Sequence, residues 1–272
     1  MAGINKNSDQ YAKADSHQNN RGNETRAKVV VDTVTKVFES ERQTVRALDE
    51  VSFTVSDGEF VCLVGPSGCG KTTLFRVIAG LEMPTNGEVR LAGNTVTGPG
   101  TDRGMVFQEY GLFPWRTVQE NVAFGLEEQG VVEPNRSRRV DEMLELVGLT
   151  EFKNAYPKEL SGGMKQRVGI ARALAVDPEI LLADEPFGSV DAQTREMLHD
   201  ELLSIWTTTG KTVLFVTHDV EEAVTLADRV VVMAPSPGRV NEIVDIDVDR
   251  PRQRTDVTFG EYVEQIRSLI GE

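Results

Sequence analysis

The chain has 272 residues, 39% of them hydrophobic, and 43 acidic against 29 basic side chains give a formal charge of −14. That is enough apolar material for one large or two small packed domains, yet no apolar run approaches the roughly 20 residues of a membrane-crossing helix. The acidic balance argues against a nucleic-acid partner, whose binding rests on clustered bases, and two cysteines are too few for a disulfide framework.

Residues 1–27 are rich in Asn, Gln, Ser, Asp and Lys and lack the charged-then-apolar pattern of a secretory leader, so they are expected to form a disordered polar tail. From Lys28 to Gly100 the pattern is short strands and turns. Within it the apolar run Phe60 to Val64 leads into Gly65-Pro-Ser-Gly-Cys-Gly-Lys-Thr72, followed by a helical stretch from Thr73 to Ala79. This fits G-x-x-x-x-G-K-[ST] in the strand-to-helix context that gives the pattern its meaning as a phosphate cradle. Gly65, Gly68 and Gly70 let backbone N–H groups turn toward phosphate oxygens, and the helix start adds the positive end of its dipole. Lys71 supplies a point charge to the β and γ phosphates, and Thr72 offers a hydroxyl to Mg²⁺. Pro66, Ser67, Cys69 and Thr73 complete the expected ATP contacts. Cys69 faces a helix start and Lys71, a setting that would activate its thiol; the alternative is a passive small residue. Cys62 lies in the apolar strand.

From about Glu109 to Glu159 strong strand runs are lacking, and Arg138 to Val147 places apolar residues at helical spacing. Leu160-Ser-Gly-Gly163 then opens a helix through Leu174 with Ser161 at its N-cap, which makes a second anion-binding helix start. After the turn signal Asp177-Pro178, the strand Ile180-Leu-Leu-Ala-Asp-Glu185 ends in two carboxylates. Beside a phosphate loop, Asp184 would stand near the metal and Glu185 would polarise a water as general base; in isolation such a pair is often two solvated acids. A further apolar strand, Val213 to Val216, precedes His218. His17 and His199 match no motif and are expected at the surface.

Leu160-Ser-Gly-Gly163 followed by Gln166 and Arg167 resembles the signature of ATP-binding cassette ATPases. The resemblance implies an α/β fold: a P-loop NTPase (RecA-like) core with an antiparallel β subdomain and an inserted α-helical subdomain at about 109–165. The ATPase domain would span 28–245, and 246–272 would form a C-terminal extension with a short helix. It implies a head-to-tail dimer of two copies, in which Ser161, Gly162 and Gly163 of one copy serve the ATP held by Lys71 of the other. Carried over position by position, Gln108 is the Q-loop glutamine, Ser189-Val-Asp191 the D-loop with Asp191 near ATP, and His218 the switch histidine. Phe38 is the aromatic that stacks on adenine, unless it is a core residue. Thr72, Gln108 and Asp184 form the Mg²⁺ set.

The stretch from Thr97 to Val122, with Val106-Phe-Gln-Glu-Tyr-Gly-Leu-Phe-Pro-Trp115 at its centre, is similar to ATPases of nitrate, sulfonate and taurine importers, as are Met233 to Val240 and Arg250 to Arg254. Such a subunit would sit peripherally on the cytoplasmic face of the plasma membrane, bound to a membrane permease and served indirectly by an extracytoplasmic substrate-binding protein. Tyr110, Phe113, Pro114 and Trp115 offer an apolar patch for a permease helix, or pack inside the helical subdomain. Importers of thiamine precursors or riboflavin, and a soluble cassette acting on a cofactor-assembly complex, remain alternatives. A cassette working on DNA or ribosomes would call for a heptad insertion, a second cassette or basic surfaces, and none is visible.

Overall fold

The computed structural model describes residues 27–40, 43–188 and 190–271. The expected polar tail up to residue 26, with His17, and Ser189 of the D-loop lie outside the described residues.

Five parallel strands and one antiparallel edge strand make the central sheet, in the order β10(Arg239–Asp245), β9(Arg229–Ala234), β3(Phe60–Val64), β8(Thr212–Val216), β7(Ile180–Asp184), β6(Arg103–Phe107). Every residue of β3 is sealed from solvent, as expected of a parallel strand covered on both faces. Each such buried Val, Leu or Phe contributes about 1.5–3 kcal/mol of transfer free energy.

Alternate residues of these strands feed two separate cores. Val61, Leu63, Leu182, Leu214 and Met233 pack under α1(Lys71–Ile78) and against a four-stranded antiparallel sheet, ordered β2(Thr44–Ser56), β1(Ala27–Glu39), β4(Asn86–Leu91), β5(Asn94–Thr95). Phe60, Cys62, Ala183, Phe215 and Val232 face the other way, toward the remaining helices. The strands expected to be short here are not: β1 and β2 each run 13 residues. Register shifts at Val34 and Lys36 break their pairing into segments, which hides the length from a period-two reading.

Between β6 and β7 the chain is helical: α2(Val118–Glu128), α3(Asn135–Leu146), two 3₁₀ turns, and α4(Gly162–Ala175), which also packs on β6. A capping box starts α2, with Thr117 N–H donating to Glu120 at 2.7 Å and Glu120 N–H to Thr117 at 3.4 Å. After β7 come α5(Ala192–Thr209) and α6(Val220–Leu226), and α7(Val257–Ile270) closes the chain. The helix read as short in the C-terminal extension runs 14 residues and packs on α6 and β9. Arg252 ties the segment before it down, its guanidinium donating to the carbonyls of Val224, Ala227, Ile246 and Val248. Among the described residues no helix is long and apolar enough to cross a membrane.

His199, expected at the surface, is 2% exposed. Its Nε2 lies 2.8 Å from Glu222 Oε1 on α6, and its ring is 5.4 Å from that of Phe187. The reading failed because a lone histidine on a mixed helix gives no sign of which face is covered, whereas a buried carboxylate needs a partner. His199→Ala strands Glu222 in a dry site, so urea unfolding of the variant is expected to show stability lower by about 3 kcal/mol at an unchanged m-value. A loss under about 0.5 kcal/mol would mean that the pair is not structural.

Candidate nucleotide-binding site

Parallel strands that stop at a common level present their following loops to one another. In the register, Leu63 pairs with Val216, Val216 with Asp184, and Asp184 with Phe107. The next residues therefore form a row along one edge of the sheet: the glycine loop after β3, Thr217-His218 after β8, Glu185 after β7 and Gln108 after β6. This is where ligands bind in open α/β sheets, outside the carboxyl ends of the strands.

The glycine loop wraps closely because two of its residues cannot carry a side chain. At Gly70 φ is +92°, and a Cβ there would meet the Ala47 carbonyl at 2.9 Å; at Gly65 a Cβ would meet the Met233 carbonyl at 2.6 Å. Gly70 caps α1 with no side chain accepting from the first turn, which leaves N–H groups free for an anion. Lys71 is largely buried, and its Nζ donates to the carbonyls of Gly65 at 2.7 Å and Pro66 at 3.1 Å.

A cleft of about 540 Å³ opens over this loop, lined by Ser67, Gly68, Gly70, Lys71, Thr72, Thr73, Glu185 and His218 on one side and by Val45, Arg46, Ala47 and Ser236 on the other. His218 Nδ1 and Glu185 Oε2 are 3.0 Å apart. Glu185 sits at φ +44°, a left-handed conformation that lifts its side chain out of the strand direction. Asp184 is half-buried, and burial first, then the neighbouring Glu185 charge, push its carboxyl up from its ordinary value against the pull of Arg76 and Lys71. A divalent cation would relieve both effects. Thr72, Asp184 and Gln108 are the hard oxygen donors Mg²⁺ prefers. Among the described residues no cluster of three or more His, Cys, Asp or Glu makes a metal cage, so such an ion would depend on phosphate oxygens as well.

The remaining expected residues fall in different places. Phe38 is 41% exposed, which removes the core alternative, and it pairs across the strands with Val45 of the cleft wall. The Lys36 ammonium lies 4.9 Å from its ring centre. Cys69 is fully buried and turned inward, close to where a Gly65 Cβ would lie; the Lys71 ammonium expected beside it is there, 3.8 Å from its Sγ, but burial closes the thiol to reagents. Ser161, Gly162 and Gly163 do not line the cleft: they start α4, where Ser161 Oγ accepts from Met164 N–H at 3.2 Å. Asp191 caps α5, accepting from the N–H and hydroxyl of Thr194 at 3.0 and 2.7 Å, and these bonds hold its carboxyl below its ordinary value.

Several residues of the site escaped the sequence reading. Arg46 and Ser236 line the cleft because the β9–β10 turn crosses β2, with Gly238 N–H donating to Ala47 at 3.0 Å and Asp49 N–H to Gly238 at 2.9 Å. Asp49 also takes the guanidinium groups of Arg46 and Arg239. No local pattern announces such a crossing. Asn121, fully buried on α2, accepts from Phe113 N–H at 2.8 Å and donates to the carbonyls of Phe113, Arg116 and Thr117, which pins the loop from Phe113 to Thr117. In that loop Phe113 packs on Phe124 at 4.7 Å while Trp115 stays 71% exposed, so internal packing and an open apolar surface divide the segment between them.

A phosphate loop, a carboxylate strand end and a histidine converging on one cleft, with a separate capped helix opening on Ser-Gly-Gly, define a nucleotide-binding cassette. The ABC transporter family matches residues 48–188, and the chain belongs to that family. An uncharacterised ABC transporter ATP-binding protein of Methanocaldococcus jannaschii is 54% identical, over 90% of this chain and 92% of its own length. The nitrate import ATP-binding protein of Synechocystis is 49% identical over 86% of this chain and 92% of its own. The taurine import ATP-binding protein of Rhizobium johnstonii is also 49% identical, over 84% and 90%. Among solved structures, the dimeric post-hydrolysis state of an ATP-binding cassette bound to ADP and Pi superposes with a TM-score of 0.70 at 34% identity, covering 81% of this chain and all of that one.

Both cysteines are buried, and burial pushes the Cys62 thiol well above its ordinary value. Ellman's reagent is therefore expected to find almost no reactive thiol in the folded protein within minutes and two per chain after denaturation. Rapid labelling of one thiol, blocked by ATP, would restore the activated-Cys69 reading.

Proposed function

We propose that the chain is the ATP-hydrolysing subunit of an importer, energising uptake of a small anion such as nitrate, taurine or another sulfonate through a membrane permease. The observation that carries the ATPase part is the 3.0 Å Glu185–His218 pair on the same cleft as Lys71. The importer part is supported by the import proteins to which the chain is similar along most of its length.

In this reading the helix start after Gly70 and the Lys71 ammonium hold the β and γ phosphates, and Phe38 stacks on the base. Thr72, Asp184 and Gln108 would hold Mg²⁺, which supplies charge neutralisation on the phosphates. Glu185 orients a water and accepts its proton, and His218 positions that carboxylate through its hydrogen bond. Ser161, Gly162 and Gly163 lie away from the cleft of their own copy, which suits donation to a partner's cleft in a head-to-tail pair. Closure of that pair would pull on the permease through the segment from Gln108 to Trp115, and hydrolysis would reset it. The subunit would lie on the cytoplasmic face of the membrane, peripheral to the permease, with an extracytoplasmic binding protein delivering the anion.

Lys71→Ala is expected to weaken ATP binding by about 10- to 100-fold, the worth of a charge-assisted contact. Glu185→Gln should keep ATP binding, lower kcat by roughly 10²- to 10⁴-fold and trap an ATP-dependent dimer on size exclusion. Near-normal turnover in that variant would remove Glu185 from the chemistry. In a deletion strain, uptake of labelled nitrate, taurine and alkanesulfonates should lose one substrate and regain it with wild type but not with Lys71→Ala. If none is lost, the anion class is wrong.

A further inference from the structure

Directly after Gln108 the backbone takes two consecutive left-handed residues, Tyr110 at φ +60° and Gly111 at φ +56°. A tyrosine adopts this conformation rarely, so something outside the turn must hold it. Part of the hold is internal, with Tyr110 N–H donating to Phe107 at 3.1 Å. A further hold comes from α4, where the Arg172 guanidinium donates to the Gly111 carbonyl at 2.6 Å and to the Tyr110 carbonyl at 3.0 Å. Burial alone pushes the Arg172 pKa down from its ordinary value, with no carboxylate charge opposing it. A half-buried cation whose fork is spent on two loop carbonyls, with no acid beside it, is placed for those carbonyls.

Tyr110 also runs along the same helix. Its carbonyl lies 3.8 Å from where a Cβ on Gly169 would stand, and its hydroxyl 3.1 Å from where one on Gly162 would stand. Those glycines are seven residues apart, two turns on one helix face. The residue two positions beyond Gln108 thus stretches from the middle of α4 to the Ser161-Gly162-Gly163 start, and Arg172 holds its other end.

We propose that Arg172 is a positioning residue that clamps the Gln108 loop onto α4, so that a displacement of Gln108 at the sheet edge moves Ser161–Gly163 toward or away from the cleft of the partner copy. The inference rests on the two-copy ATPase reading above. It assigns the link between the two ends of one subunit to a bidentate contact that a lysine, with its compact ammonium, reproduces only in part.

The test is ATP binding and steady-state ATPase on the full chain for wild type, Arg172→Ala, Arg172→Lys, Gln108→Ala and the doubles. Arg172→Ala is expected to leave the affinity for a fluorescent ATP analogue within about threefold, to lower kcat by about tenfold and to bring the Hill coefficient for ATP toward 1, with Arg172→Lys in between. In the Gln108→Ala background the same change should cost under about twofold, because the arm it acts through is already cut. Full additivity with Gln108→Ala, or a loss of ATP affinity equal to the loss of kcat, overturns the proposal. If Arg172→Ala does not fold, Arg172→Lys carries the same cycle. A wild type that hydrolyses ATP without cooperativity overturns the two-copy reading and the clamp together; a cooperative wild type with additive variants overturns the clamp alone.

Discussion

The level at which β3, β8, β7 and β6 end sets the geometry of the cleft. Because their hydrogen-bonded register places Leu63, Val216, Asp184 and Phe107 in line, the glycine loop, His218, Glu185 and Gln108 follow at neighbouring points of one edge. A slip of one residue in any pair would turn its side chains to the opposite face and carry its terminal group out of the row. The buried interior of β3, β8 and β7 guards against such a slip, since it would exchange the residues feeding one core with those feeding the other.

The second wall of the cleft has a different origin. It is built by β2 and by the turn between β9 and β10, which meet through Gly238, Ala47 and Asp49. The glycine loop is gripped between them: a side chain at Gly65 would strike Met233, and one at Gly70 would strike Ala47. The loop shape needed to wrap phosphates is therefore imposed as much by the antiparallel sheet and the β9 end as by the glycines themselves, and these supports lie far from it along the chain.

On the far side, α4 has two duties. Its start presents Ser161 and the two glycines beyond it, while its body carries Arg172, which holds the carbonyl of Tyr110 in the loop after β6. A Cβ at Gly162 would crowd the Tyr110 hydroxyl at 3.1 Å, whereas one at Gly169 would stand at ordinary contact distance from its carbonyl. A helix start and a loop packed on one rigid rod share motion at little energetic cost, since a helix passes displacement along its axis better than a loop does.

Much of this was legible in the sequence wherever chemistry is local. A strand, a glycine loop and a helix in succession, the carboxylates that end an apolar strand, and Ser161 heading a helix each depend on contiguous residues, and α/β class and family follow from them. Other features were decided by residues distant in sequence. His199 is buried because Glu222 is carried next to it on α6, Cys69 is turned inward by the packing around Gly65, and the bulged pairing of β1 with β2 makes one long ribbon of what reads as short strands. Arg46, Ser236, Asn121 and Arg172 acquire their places only where separate segments meet. The sequence by itself determined which groups can bind phosphate and polarise water, because loop conformation and helix starts are encoded within a few residues. Only the tertiary structure decided which of those groups share a cleft and which face away from it, because strand register and long-range packing set distances that no local pattern contains.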